Sequence, residues 1–155
     1  MVCRREIFSQ LAHFSPADRV IAFNIGASWE TKRWLDIYFH GAEPDFMPPL
    51  HPIGSDFQQV VWKILRQIPY GTTRTYGDIA AQIARARGVA KMSAQAVGGA
   101  VGHNDISILI PCHRVVGKSG SLTGYAAGLE KKIRLLTLEK VDMSRFFVPK
   151  KGTAL

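Results

Sequence analysis

Apolar residues recur at helical spacing in five stretches of this chain. Ile7, Phe8, Leu11 and Phe14 fit one stripe near the start, before Ser15-Pro16-Ala17-Asp18, which reads as a capping box with proline at its first helical position. Val20 to Ile25 suits strand or helix. Ser28 is placed to cap a helix containing Trp29, Trp34, Leu35 and Tyr38 that stops at Gly41; these aromatics are most simply core. Residues 43–52 contain four prolines and read as a linker.

Beyond the linker, Ser55 and Gln58 make a capping box for a helix with Phe57, Val60, Val61, Ile64, Leu65 and Ile68 on one face, ended by Pro69-Tyr70-Gly71. Thr75 caps a second helix with Ile79, Ala80, Ile83 and Ala84. Ser93 caps a third after a basic loop over 85–91. The third helix is unusual. Gly98 and Gly99 lie inside it, each costing roughly 1 kcal/mol relative to alanine, so something bulky is expected against its backbone. Two helices joined by a basic loop suggest a helix-turn-helix, although a tightly packed core helix fits the small residues equally well. The last helix is predicted to bury Leu129, Ile133 and Leu136, to wet Lys131, Lys132 and Arg134, and to end near Glu139.

Between these helices runs Ile106–Cys112, predicted as a buried strand that breaks at Pro111 and carries Cys112 to the rim of a pocket. Only a thiolate is a strong nucleophile, and His113 and Arg114 are neighbours of the kind that depress a thiol pKa. A lone cysteine beside an apolar run is otherwise most often an inert packed residue.

The chain has 155 residues, enough for a real core in one domain, or one with a small appendage. No apolar run approaches the roughly 18 residues that span a bilayer, and two distant cysteines, Cys3 and Cys112, give no disulfide framework, so a cytoplasmic setting is expected. Charge is unevenly placed: residues 1–50 carry five Lys/Arg against six Asp/Glu, and residues 51–155 fifteen against six. The basic part suits a polyanion, nucleic acid before acidic membrane, or simply a soluble surface.

Ile110-Pro111-Cys112-His113-Arg114-Val115 resembles the active-site signature of the O6-alkylguanine-DNA alkyltransferases (methylated-DNA–protein-cysteine methyltransferases). The likeness extends over about residues 55–140. It includes Tyr70-Gly71-Thr72, Tyr76-Gly77-Asp78-Ile79-Ala80, Ala96-Val97-Gly98-Gly99-Ala100, Asn104, Tyr125 and Glu139. The fold it implies is α/β overall: a mostly helical, winged-helix-like DNA-binding domain with a helix-turn-helix over 53–142, preceded by a shortened or rebuilt α/β N-terminal domain over 1–50 and followed by a flexible basic tail over 143–155.

The resemblance also implies a single-turnover repair reaction on double-stranded DNA by a monomer, without membrane, metal or organic cofactor, nucleoid-associated if bacterial. The helix-turn-helix enters the minor groove and an O6-alkylguanine is flipped out of the stack. Cys112 then takes the alkyl group in one displacement. By resemblance, water links Cys112 to His113, and Glu139 holds the far imidazole nitrogen; without the family, Glu139 reads as an exposed helix-end residue. Tyr125 is the implied phenol at the guanine ring nitrogen, the Ala126 N–H receives O6, and carbonyls of Cys112 and Val115 accept from the exocyclic amine. Asn104 braces the turn. Tyr76 is expected on a phosphate, Ala94, Gln95, Ala96, Gly98 and Gly99 in the groove, and Lys118 on phosphate or in solvent. Arg114, grouped with the DNA contacts, is read more as a tie between the two parts of the protein.

Three positions depart from the family pattern. Gln95 stands where arginine commonly fills the gap left by the flipped base, Asp105 where proline follows Asn104, and Ala127 where glycine is frequent, which disfavours bulky adducts. Cys3 and His13 are too few for the zinc site some members carry. Two other readings share some of these residues: a non-catalytic lesion-binding or regulatory protein of the same fold, and a Cys–His hydrolase.

Overall fold

The structure, a computed structural model, describes residues 28–149. The predicted stripe over 7–14, the capping box at Ser15, the segment 20–25, Cys3 and His13, and residues 150–155 of the tail lie outside the described residues.

Helix α1, Trp29–Phe39, starts where Ser28 Oγ accepts the Thr31 amide at 3.4 Å and buries Trp34 and Tyr38. Residues 43–52 contain no helix or strand, as four prolines without amide donors dictate. Helix α2, Asp56–Leu65, opens on the reciprocal capping box of Ser55 and Gln58. It buries Val61, Trp62, Ile64 and Leu65, leaving Val60 partly in solvent. Strand β1, Arg74–Thr75, leads into helix α3, Tyr76–Arg87, through a second box between Thr75 and Asp78; Gly88 ends that helix in the left-handed region. Helix α4, Ala94–Gly102, follows, capped by Ser93.

Helices α2, α3 and α4 close one core around Val61, Leu65, Ile79, Ile83 and Val97, and the Trp62 indole N–H donates to the Ala100 carbonyl at 2.9 Å. Strand β2, Val115–Val116, pairs in parallel with β1 in the register Arg74–Val115 and Thr75–Val116. The architecture is thus mixed, mainly helical, with a two-stranded sheet among the described residues. Helix α5, Leu129–Leu138, enters from Gly128 at φ 95 and packs Leu136 on Val116 and Leu122.

Four expectations fail here. Trp29, read with the other aromatics of its helix as core, is 65% exposed. The Ile106–Ile110 run is not a strand but a tight turn with an isolated bridge between Ser107 and Ile110, and Ile108 sits at φ 74. Its apolar side chains asked for burial, which a turn satisfies once Asn104 and local bonds supply partners for the backbone. Lys132, assigned to the wet face of α5, is fully buried. The stretch 143–149, read as the start of a loose tail, folds back: Leu122 N donates to Phe147 O and Phe147 N to Gly120 O, while Phe146 packs on the Val116–Leu136 cluster. Gly120, at φ 85, allows this approach, since a Cβ there would lie 2.1 Å from the Arg145 carbonyl.

Candidate active site around Cys112

The site is assembled from the ends of elements. Pro111 breaks the turn, and Cys112–Arg114 form one turn of 3-10 helix before β2 begins. The three polar side chains of this short piece therefore splay apart. Cys112 faces the core of α2–α4, and His113 and Arg114 face the C-terminal end of α5.

Asn104 shapes the Cys112 side. Its Nδ2 donates to Ile110 O at 2.8 Å and to Cys112 Sγ at 3.1 Å, while Oδ1 accepts the Ile106 amide at 3.1 Å. One side chain thereby closes the turn and touches the sulfur. Cys112 is only 5% exposed, so it does not stand on an open rim. Burial pushes its thiol pKa up, against the opposing pull of hydrogen bonds from Asn104 and Ser107 and the charge of Lys132. The thiol is protonated in this form, contrary to the expectation of a resting thiolate.

Glu139, the residue that caps α5, is the hub of the other side. His113 Nε2 meets its Oε1 at 2.7 Å, and Tyr38 Oη donates to the same oxygen at 2.7 Å. Arg114 donates through Nε to Oε2 at 2.9 Å and through Nη2 to Oε1 at 3.0 Å, and the Gly71 amide donates to Oε2 at 3.1 Å. Burial alone would raise the Glu139 pKa, but the donors His113 and Arg114 overturn that and hold it at about 2. Burial lowers the His113 pKa despite Glu139, so the ring is neutral near pH 7. An ionised carboxylate can only accept, so Nε2 carries the ring proton and Nδ1 the lone pair. Among the described residues, Nδ1 is buried with no hydrogen-bond partner, and none joins the ring to Cys112 Sγ. This tautomer is that of a proton acceptor.

The remaining predicted residues fall in three groups. Tyr76 is buried, and its hydroxyl donates to the carbonyls of Gly124 at 3.2 Å and Thr123 at 3.4 Å. Burial and the nearby Cys112 raise its pKa, keeping the phenol protonated. The phenol shares its core with Cys112. Arg114 is likewise turned inward, committed to Glu139 and, through Nη1, to Ile68 O at 2.7 Å; a buried guanidinium so bonded is not free for DNA. Ala94, Gln95, Ala96 and Gly99 are exposed on α4, whereas Gly98 is buried. Lys118 is exposed in its own 3-10 turn, Ala126 is exposed, and Tyr125 and Ala127 are half-buried. Val115 is wholly buried.

Two residues of this neighbourhood escaped the sequence reading. Lys132 Nζ donates to the carbonyls of Val115 at 2.5 Å and Thr123 at 2.8 Å, and burial lowers its pKa to about 8 while Cys112 opposes. The signal was present, because Lys132 lies one turn from both Leu129 and Leu136, on the buried stripe. Tyr38 left no such trace: an aromatic in a helical stripe reads as packing. Among the described residues no group of three or more His, Cys, Asp or Glu is placed to hold a metal, and no helix is long and apolar enough to cross a membrane.

Residues 56–141 match the family described as "6-O-methylguanine DNA methyltransferase, DNA binding domain". A methylated-DNA–protein-cysteine methyltransferase of Mycobacterium tuberculosis is 54% identical over 106 residues, which are 68% of this chain and 61% of that protein. Another, from Methanosarcina barkeri, is 50% identical over 114 residues, covering 74% of this chain and 69% of its own. A crystal structure of Mycobacterium tuberculosis OGT in complex with DNA superposes with a TM-score of 0.63 at 50% identity, over 74% of this chain and 66% of that one. This chain therefore spans about three fifths of the length of the mycobacterial relative.

Proposed function

The chain belongs to the 6-O-methylguanine DNA methyltransferase family, and from that premise we propose that it repairs duplex DNA by moving an O6-alkyl group, mainly methyl, from guanine to Cys112 in one irreversible turnover. Helices α3 and α4 act as the helix-turn-helix, with the small outward face of α4 against the minor groove and Gln95 supporting the gap left by the flipped guanine. The catalytic unit is residues 53–142, acting as a monomer.

The observation that carries this reading is a nucleophile and a base delivered by one turn. Cys112 Sγ lies 3.1 Å from an amide donor, and the adjacent His113 ring is locked by Glu139 with its basic nitrogen turned away from that carboxylate. In the reaction the sulfur–carbon bond forms as the carbon–O6 bond breaks. The thiol proton leaves through a bridging water to His113 Nδ1. The departing guanine, whose O6 becomes a carbonyl, takes its ring proton from the solvent that then receives the imidazolium's proton. Because burial disfavours the thiolate, ionisation accompanies substrate entry and does not precede it. Tyr76, held protonated beside Cys112, is the phenol that hydrogen-bonds the departing ring. The half-buried Tyr125 closes the entrance, and the Ala126 amide receives O6.

Intact mass measurement after incubation with a duplex containing O6-methylguanine tests this. A single gain of roughly 14 Da on Cys112, one net CH2, is expected. Tight binding with unchanged mass would instead establish a lesion-binding protein.

A further inference from the structure

We infer that Tyr38 is a positioning residue for alkyl transfer, its hydroxyl directing the Glu139 carboxylate that orients the His113 imidazole. The inference rests on the proposed reaction and adds to it a residue outside the segment 56–141 that the family model matches. Helix α1 thereby reaches into the relay from the preceding part of the chain.

Three observations converge. Tyr38 Oη donates to Glu139 Oε1 at 2.7 Å, the same oxygen that His113 Nε2 meets at 2.7 Å, and it lies 3.3 Å from that nitrogen. The phenol and the imidazole therefore share one acceptor atom, and the strength of one bond tunes the other. The ring is wholly buried and its direction is set: it stacks on Trp34 at 5.2 Å and 12° and meets Tyr70 edge-on at 6.0 Å. Burial and the Glu139 charge keep the hydroxyl protonated, so it is a permanent donor. Around the carboxylate the other charged or titratable groups are Arg114, His113 and Tyr70, with Lys132, Tyr125 and Glu43 further out. Tyr38 donates its hydroxyl directly to the carboxylate, so Tyr38→Phe removes that bond without changing a charge.

The test is Tyr38→Phe in the full chain, read by single-turnover transfer against pH and by 15N chemical shifts of the His113 ring in the DNA-free protein. Without the phenol, Oε1 is less satisfied and binds the imidazolium more strongly, so the neutral base is lost at higher pH. A fall in rate of about tenfold on the pH plateau, from the less firmly oriented imidazole, and a separate upward move of the acid limb by on the order of half a unit are expected. The ring 15N titration should move in the same direction. Unchanged rate, profile and 15N titration in a folded variant would reduce Tyr38 to packing. If Tyr38→Phe does not fold, 3-fluorotyrosine placed at position 38 keeps the shape and strengthens the donor. The shifts must then run the opposite way, and an unmoved titration overturns the inference. Should the unaltered protein transfer no alkyl group, the reaction assignment fails, while the 15N titration still decides the role of Tyr38.

Discussion

Arg114 and Glu139 face each other as a fork, with Nε 2.9 Å from Oε2 and Nη2 3.0 Å from Oε1, both side chains nearly closed to solvent. The third arm of the guanidinium reaches Ile68 O, so this pair joins the turn after α2, the cysteine turn and the end of α5. Removing one partner leaves an uncompensated buried charge. Glu139→Gln preserves shape but strands Arg114, and a loss of about 3–5 kcal/mol in urea unfolding is expected at unchanged m. A loss under about 1 kcal/mol would mean that solvent reaches the pair.

Acid should unfold this protein in two stages. The pKa of Glu139 is held at about 2, below its unfolded value, so its contribution is complete above about pH 4.5 and is lost as pH falls towards 2. His113 is also depressed, so the unfolded chain binds that proton first once pH drops below about 6.5. Thermal unfolding between pH 7 and 2 is expected to decline gently below about 6.5 and steeply below about 4.5, the second stage being worth roughly 3 kcal/mol. Glu139→Gln should erase the steep stage; its persistence would assign acid lability elsewhere.

Lys132 holds Val115 and Thr123 by their carbonyls, and Tyr76 holds Thr123 and Gly124 from the other side. The backbone leading to Tyr125 and Ala126 is thus suspended between a cation and a phenol. Lys132→Met fills a similar volume but orphans buried carbonyls, for an expected loss of about 2 kcal/mol. Amide hydrogen exchange over 122–126 should quicken beyond the global change in stability. Exchange that merely follows global stability would show that the segment holds itself.

Gly99 separates folding from binding. A Cβ there would meet nothing within 4 Å, so Gly99→Ala should stabilise α4 by about 0.5–1 kcal/mol. If the exposed face of α4 lies against DNA, the same methyl group intrudes on the groove and weakens duplex affinity several-fold. Higher Tm with weaker binding is the expected pair of results; unchanged affinity would move the interface away from Gly99.

The local signals were legible because they depend on neighbours in sequence. Ser28, Ser55, Thr75 and Ser93 all cap the helices their spacing announced, since a cap needs only an oxygen and an amide two or three residues on. Cys112 stood out through its neighbours. The turn at 106–110 was misread because an apolar run signals burial without saying how the backbone will be satisfied, and that answer came from the Asn104 side chain. Lys132 was placed outward by the ordinary cost of burying charge, and Arg114, read more as a tie between parts of the protein, is buried too. That cost is offset here by carbonyls and a carboxylate brought from residues 17 and 25 positions away.

The amino-acid order by itself therefore determined the helices and their starts and singled out the cysteine proposed as nucleophile, all properties of short windows. Tertiary structure decided the protonation states of Cys112 and His113 and the recruitment of Tyr38, which lies 101 residues from Glu139. Desolvation and shared acceptors arise only where distant segments meet, and no local pattern encodes how deeply a group will be buried or which donor will share its oxygen.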